Sequence, residues 1–228
     1  MAGAAVSCVV AALTLVPHPA TLEIPLWLNL SATAVGALEG ALIASRRQKY
    51  DVVGVFVIAL CLGFGGGMIR DLLLGSLPPT ALQSPWYLIT VVVAMLAALP
   101  LARRVRGMPR LLVLLDALTL GLFAVVGTDK ALQFQIPLIA ALFIGTAASV
   151  GGGVAADMLM QHTPTVLKPA PLYAVAGLAG AVTFWLLRDP IGTQTAVAVA
   201  GALVVTTALR MAAERYGLRA PVPTTLGE

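Results

Sequence analysis

The sequence predicts an all-α integral membrane protein of seven transmembrane helices, arranged as two inverted three-helix repeats plus a seventh helix, with glycine-broken helices 2 and 5. Three observations predict it. The 228 residues are 59% hydrophobic and 11% charged, with a mean hydropathy of +0.96, whereas a soluble domain carries about 25% charged residues. Seven apolar segments approach the roughly 20 residues that cross a bilayer core. A glycine triplet occurs twice, 86 residues apart, each time with an aspartate four residues after its last glycine.

The segments run over 26–45, 51–74, 86–102, 110–127, 136–160, 171–187 and 192–213. The first carries Glu39 inside Gly36-Ala37-Leu38-Glu39-Gly40, a small-xxx-small pair suited to close helix packing. The second holds Gly65-Gly66-Gly67 with Arg70 and Asp71, and ends at a turn marked by Pro78, Pro79 and Pro85. Trp27, Trp86 and Tyr87 lie near span ends, as interfacial belt residues do. Asp116 falls in the fourth segment, and the fifth holds Gly151-Gly152-Gly153 with Asp157 before Pro164, Pro169 and Pro171. Residues 1–25 form an apolar extension that is short for a span and lacks the positive n-region of a signal peptide. The expected organisation is therefore this extension, a first repeat over 26–105, a second, inverted repeat over 110–190, a seventh helix over 191–213 and a tail over 214–228.

Charge sets the orientation. With the residue-26 end outside, 11 of the 14 Lys and Arg residues fall on the inner side, leaving Lys130 and Arg188 in outer loops and Arg70 within a span. The positive-inside rule then makes this a multi-pass protein of the cell membrane with a cytoplasmic C-terminus. The net charge of +4 forms no basic stripe with interleaved aromatics, so nucleic acid is not an expected partner. Cys8 and Cys61 sit in apolar runs as small hydrophobes, and two histidines, His18 and His162, make no metal site. Neither an enzyme, a cofactor nor an obligate protein partner is expected; potassium or sodium would enter only as a permeant ion.

Sliding the chain by 86 residues superposes the triplets, Asp71 on Asp157, Pro78 on Pro164, Pro85 on Pro171 and Tyr87 on Tyr173. A slide of 87 brings Asn29 onto Asp116, Gly40 onto Gly127 and Ala44 onto Ala131. Each copy has three spans, an odd number, so the copies cross the membrane in opposite senses. Inverted repeats of this kind place a substrate or ion site near the midplane, on helices interrupted by glycine or proline. Where a triplet interrupts the ladder, freed carbonyls can coordinate a cation and freed amides can hold a carboxylate. The plainer reading is that the glycines allow close packing.

Arg70 and Asp71 point about 100° apart on a helix and are expected to be poor partners for each other, which leaves Asp157 as one candidate partner for Arg70. The second copy has Ala156 where the first has Arg70. With Glu39 and Asp116 added, membrane-depth carboxylates exceed cations, which attracts cations if the groups are ionised and line water. For Glu39 and Asp116 the plainer reading is a helix–helix hydrogen bond or snorkelling to the interface.

Gly-Gly-Gly-Met-Ile-Arg-Asp at 65–71, followed by Leu72, Leu73, Leu74 and Gly75, together with the duplicated three-span unit, resembles the bacterial branch of the trimeric intracellular cation (TRIC) channels, over about residues 26–213. The resemblance implies seven spans, a homotrimer in the lipid bilayer, and an ion pathway through each protomer beside the kinked second and fifth helices. It places the kinks on Gly65, Gly66, Gly67, Gly151, Gly152 and Gly153 and the charged positions on Arg70, Asp71 and Asp157. Ala156 departs from the family pattern, which tends to have a basic residue there. The same branch includes members named glycine transporters. The expected function is thus a monovalent cation channel, mainly for potassium, with a carrier of glycine or another small zwitterion as the alternative.

Overall fold

The computed structural model describes residues 25–46, 49–105, 107–167 and 172–218. The expectations for the N-terminal extension up to residue 24 and for the tail beyond residue 218 lie outside the described residues.

Among the described residues the longer helices are α1 (Leu26–Arg46), α2 (Val52–Leu73), α3 (Pro85–Val105), α4 (Pro109–Gln133), α5 (Leu138–Leu159), α6 (Tyr173–Arg188) and α7 (Thr195–Tyr216), with single turns at Thr80–Gln83 and Thr165–Leu167. All but α6 are long and apolar enough to cross a membrane; α6 is a shorter apolar helix of 16 residues. At about 1.5 Å per residue the longer six reach the ~30 Å of a hydrocarbon core. Local chemistry sets their ends. The Asp51 carboxylate caps α2 by accepting from the Gly54 amide at 2.7 Å. Gly75, at φ +64°, closes it, with the Ser76 amide donating back to the Asp71 carbonyl at 2.8 Å. In the second copy, α5 closes in the same way: Gln161 stands at φ +58° and the His162 amide donates to the Asp157 carbonyl at 2.8 Å.

Among the described residues the two larger apolar cores lie between the helices, and a smaller one gathers Ala131, Ala141 and Ile144 between α4 and α5. Of the larger two, one joins α1, α2 and α3 around Leu42, Ile58, Leu62, Val91 and Ala98; the other joins α1 with α4, α6 and α7 around Leu28, Phe123, Val126, Phe184 and Ala202. Gly36 and Gly40 press α1 against α2: a Cβ on either would lie 2.7 or 2.8 Å from the carbonyl oxygens of Leu62 and Ile58. The small-xxx-small pair therefore packs within one protomer.

Three expectations need correction. Helices α2 and α5 run through their glycine triplets without interruption, so neither helix is broken there. Lys130 belongs to the last turns of α4 and is buried, not in an outer loop. Tyr87 is 4% exposed and so is a core residue, whereas Trp27 and Trp86 are exposed.

Candidate functional site

The triplets meet each other. A Cβ on Gly65 would lie 2.7 Å from the Cα of Gly152, and one on Gly152 would lie 3.0 Å from the carbonyl oxygens of Cys61 and Leu62. A Cβ on Gly66 would run into the Ala148 carbonyl and the Phe123 ring, and one on Gly151 into the Ile69 side chain. These glycines let the backbones of α2 and α5 touch where any side chain would hold them apart. Gly67 and Gly153 face elsewhere, towards Arg70 and Tyr173 respectively.

Crossing the helices at this point carries the residues that follow each triplet to separate polar clusters. In the first, the Arg70 guanidinium donates through Nε to Asp71 Oδ1 at 2.7 Å and through Nη1 to Asn29 Oδ1 at 3.1 Å. Lys130 Nζ donates to the same Asp71 oxygen at 2.7 Å and to Thr80 Oγ1 at 2.9 Å, and the Thr80 amide occupies Asp71 Oδ2 at 2.7 Å. Asp71 is fully buried and Arg70 nearly so. Two cations thus converge on one carboxylate whose two oxygens accept three strong hydrogen bonds. The expected separation of Arg70 and Asp71 does not hold, because the long Arg70 side chain folds back to its neighbour, and Asp157 is not its partner.

In the second cluster, Asp116 on α4 accepts from Tyr173 Oη of α6 at 3.1 Å and from Arg210 Nε of α7 at 3.0 Å, while Arg210 stacks on the Tyr173 ring at 5.3 Å. Asp157 Oδ2 accepts from the Thr165 amide and hydroxyl at 2.8 and 2.9 Å. A cavity of about 210 Å³ opens here, lined by Glu39, Asp116, Gly153, Asp157, Tyr173 and Arg210 among others. Among the described lining residues, three carboxylates therefore share it with one guanidinium. The helix–helix hydrogen bond holds as a description of Asp116. It does not describe Glu39 Oε2, which is buried without a hydrogen-bond partner.

Asp116 and Lys130 are 14 residues apart on α4, or about 21 Å along the axis, so the clusters lie towards opposite ends of the helices. Sequence reasoning missed Lys130 and Arg210 as members of these clusters. Lys130 carried a readable signal, since no helix breaker precedes it in the fourth segment. Arg210 carried none, because α7 has no copy to align with.

A protein-family model described as glycine transporter matches residues 26–103 and 113–189. The chain is 36% identical over 197 residues to a UPF0126 membrane protein of Deinococcus radiodurans, covering 86% of this chain and 90% of that one. It is also similar in fold to a solved TRIC trimeric intracellular cation channel orthologue from Rhodobacter sphaeroides, with TM-score 0.76 and 31% identity over 84% of this chain and 97% of the other. A TRIC cation channel solved to explain conductance superposes with TM-score 0.75 and 28% identity, covering 90% and 100% of the two chains.

Proposed function

The chain belongs to the glycine transporter family and shares the fold of the TRIC channels, and from that premise we propose that it is a monovalent cation channel, mainly for potassium, with one pore in each protomer of a homotrimer. The observation that carries this reading is the cavity in which Glu39, Asp116 and Asp157 face a single Arg210. At formal charge the excess is negative, and fixed carboxylates at a narrow, partly dehydrated place favour cations over anions. The proposed path runs beside the α2–α5 crossing, from this cavity to the Arg70–Asp71–Lys130 cluster, where the ion pairs would have to part for an ion to pass. The paired triplets are read as the fulcrum that holds the two ends in register.

The proposed topology has seven spans in two opposed repeats, and the matching caps after Asp71 and Asp157 support it. The charge count puts the cavity on the cytoplasmic side with the C-terminus. Purified protein in liposomes tests the function. Electrogenic potassium flux that glycine does not saturate is the expected result.

The family model's description favours one second reading, a carrier of glycine or another small zwitterion. In it, Arg210 would draw the substrate carboxylate and Glu39 the ammonium. Saturable glycine uptake without unitary potassium conductance would replace the channel by the carrier.

A further inference from the structure

Glu39 is the carboxylate that the hydrogen-bonding pattern leaves with an unpartnered buried oxygen among the described residues. It sits on α1 between Gly36 and Gly40, whose contact with α2 fixes the backbone on both sides of it. Its side chain lines the cavity, it is 4% exposed, and Oε2 accepts no hydrogen bond. A buried carboxylate oxygen without a donor costs several kcal/mol unless something positive meets it.

The other charged groups of the cavity are already engaged. Asp116 holds Arg210 and Tyr173, and Asp157 Oδ2 holds the Thr165 amide and hydroxyl. Among the described residues the cavity's guanidinium thus bonds Asp116, and Glu39 keeps a buried oxygen, Oε2, that accepts no hydrogen bond. The cluster at the other end of the helices differs, with Arg70 and Lys130 both on Asp71.

We propose that Glu39 and the cavity in front of it form a binding site for one monovalent metal cation of the potassium class. One open carboxylate oxygen, supplemented by water in the cavity, matches a single charge. A divalent ion would need six to eight oxygens with several carboxylates freed for it. This inference rests on the channel reading and deepens it, by naming the residue at which a permeating ion is held.

The test uses the full-length protein in detergent. Its thermal unfolding midpoint is followed while potassium chloride replaces N-methylglucamine chloride at constant ionic strength, with glycine as a separate arm. A ligand that binds only the folded state raises the midpoint saturably. Wild-type protein should show such a rise with potassium. Glu39→Gln, which keeps the shape and removes the charge, should weaken the apparent potassium affinity by about tenfold or more, while Glu39→Asp retains part of it. Should Glu39→Gln lose the wild-type elution volume, Glu39→Ser, smaller and uncharged, replaces it.

A potassium response that survives in the uncharged variant overturns the site, as does a wild-type protein that responds to glycine alone or to neither. Flux in liposomes from the same preparation judges the channel separately. Flux without potassium-dependent stabilisation sinks the site and leaves the channel; saturable stabilisation without flux does the reverse.

Discussion

The two polar clusters begin from the same sequence motif and end with opposite characters. After the first triplet, Asp71 is clamped by Arg70 and Lys130, so two cations serve one carboxylate in a fully buried network. After the second, Ala156 replaces the arginine, and the cavity holds three carboxylates with one guanidinium supplied by α7. In the first cluster two cations match one carboxylate; in the second, a Glu39 oxygen lies buried beside the cavity without a hydrogen bond. The backbone closes in the same way after Asp71 and after Asp157; differences at a few side chains give the two ends different electrostatics. The unrepeated helix matters for the same reason, since Arg210 restores part of the charge that Ala156 removed.

Several changes would break or sharpen this contrast, and the largest effect is expected where the two copies touch. Gly66→Ala puts a methyl against the Ala148 carbonyl and the Phe123 ring, whereas Gly67→Ala makes only an ordinary contact with Arg70 Nη2 at 3.9 Å. The first should abolish transport and lower the yield of folded oligomer on size-exclusion chromatography, and the second should leave folding close to wild type. Equal outcomes for the pair would mean that the crossing is not where the structure puts it.

Next in size is Asp71→Ala, which leaves Arg70 and Lys130 buried without their counter-ion. Breaking a buried pair costs about 3–5 kcal/mol, and denaturant unfolding in detergent should record a loss of that order. Arg210→Gln is the matching change in the second cluster. Its loss should be smaller, because Asp116 keeps the Tyr173 hydroxyl and is 18% exposed at the side chain. If the two variants lost equal stability, the description of one cluster as clamped and the other as open would fail.

Ala156→Arg acts on the contrast directly, by returning to the second copy the guanidinium found in the first. Potassium conductance should fall and relative chloride permeability rise, read from reversal potentials in planar bilayers. The smallest effect is expected for Thr165→Val, which removes one hydroxyl donor but keeps the amide on Asp157. About 1 kcal/mol or less of stability should be lost.

Much of the fold was legible because hydrophobic length is a local property. The apolar segments 26–45 and 136–160 anticipate α1 and α5 to within two residues at either end. The fourth segment stopped at 127 because Asp129 and Lys130 read as a loop, yet α4 continues to Gln133. Lys130 is buried on a partner that no local pattern reveals, Asp71, 59 residues away. The triplets were found by repetition, but the breaks expected at them are not seen, since α2 and α5 are continuous. Glycine weakens an isolated helix, and the sequence argument took that weakness as a break. In the packed protein, contact between α2 and α5 more than offsets it, and the helices run on. Asp116, Asp157 and Glu39 were legible as costly charges at membrane depth; that they line one cavity became visible only once α1, α4 and α5 were assembled.

The central claim is that cations cross each protomer through a path whose cavity end carries excess carboxylate. Its most direct test is the reversal potential of single-protein currents across a bilayer with a potassium chloride gradient, recorded with and without glycine. A reversal potential near that of potassium, unchanged by glycine, is the predicted result. A current that follows chloride, or glycine uptake with no unitary current at all, would contradict the account.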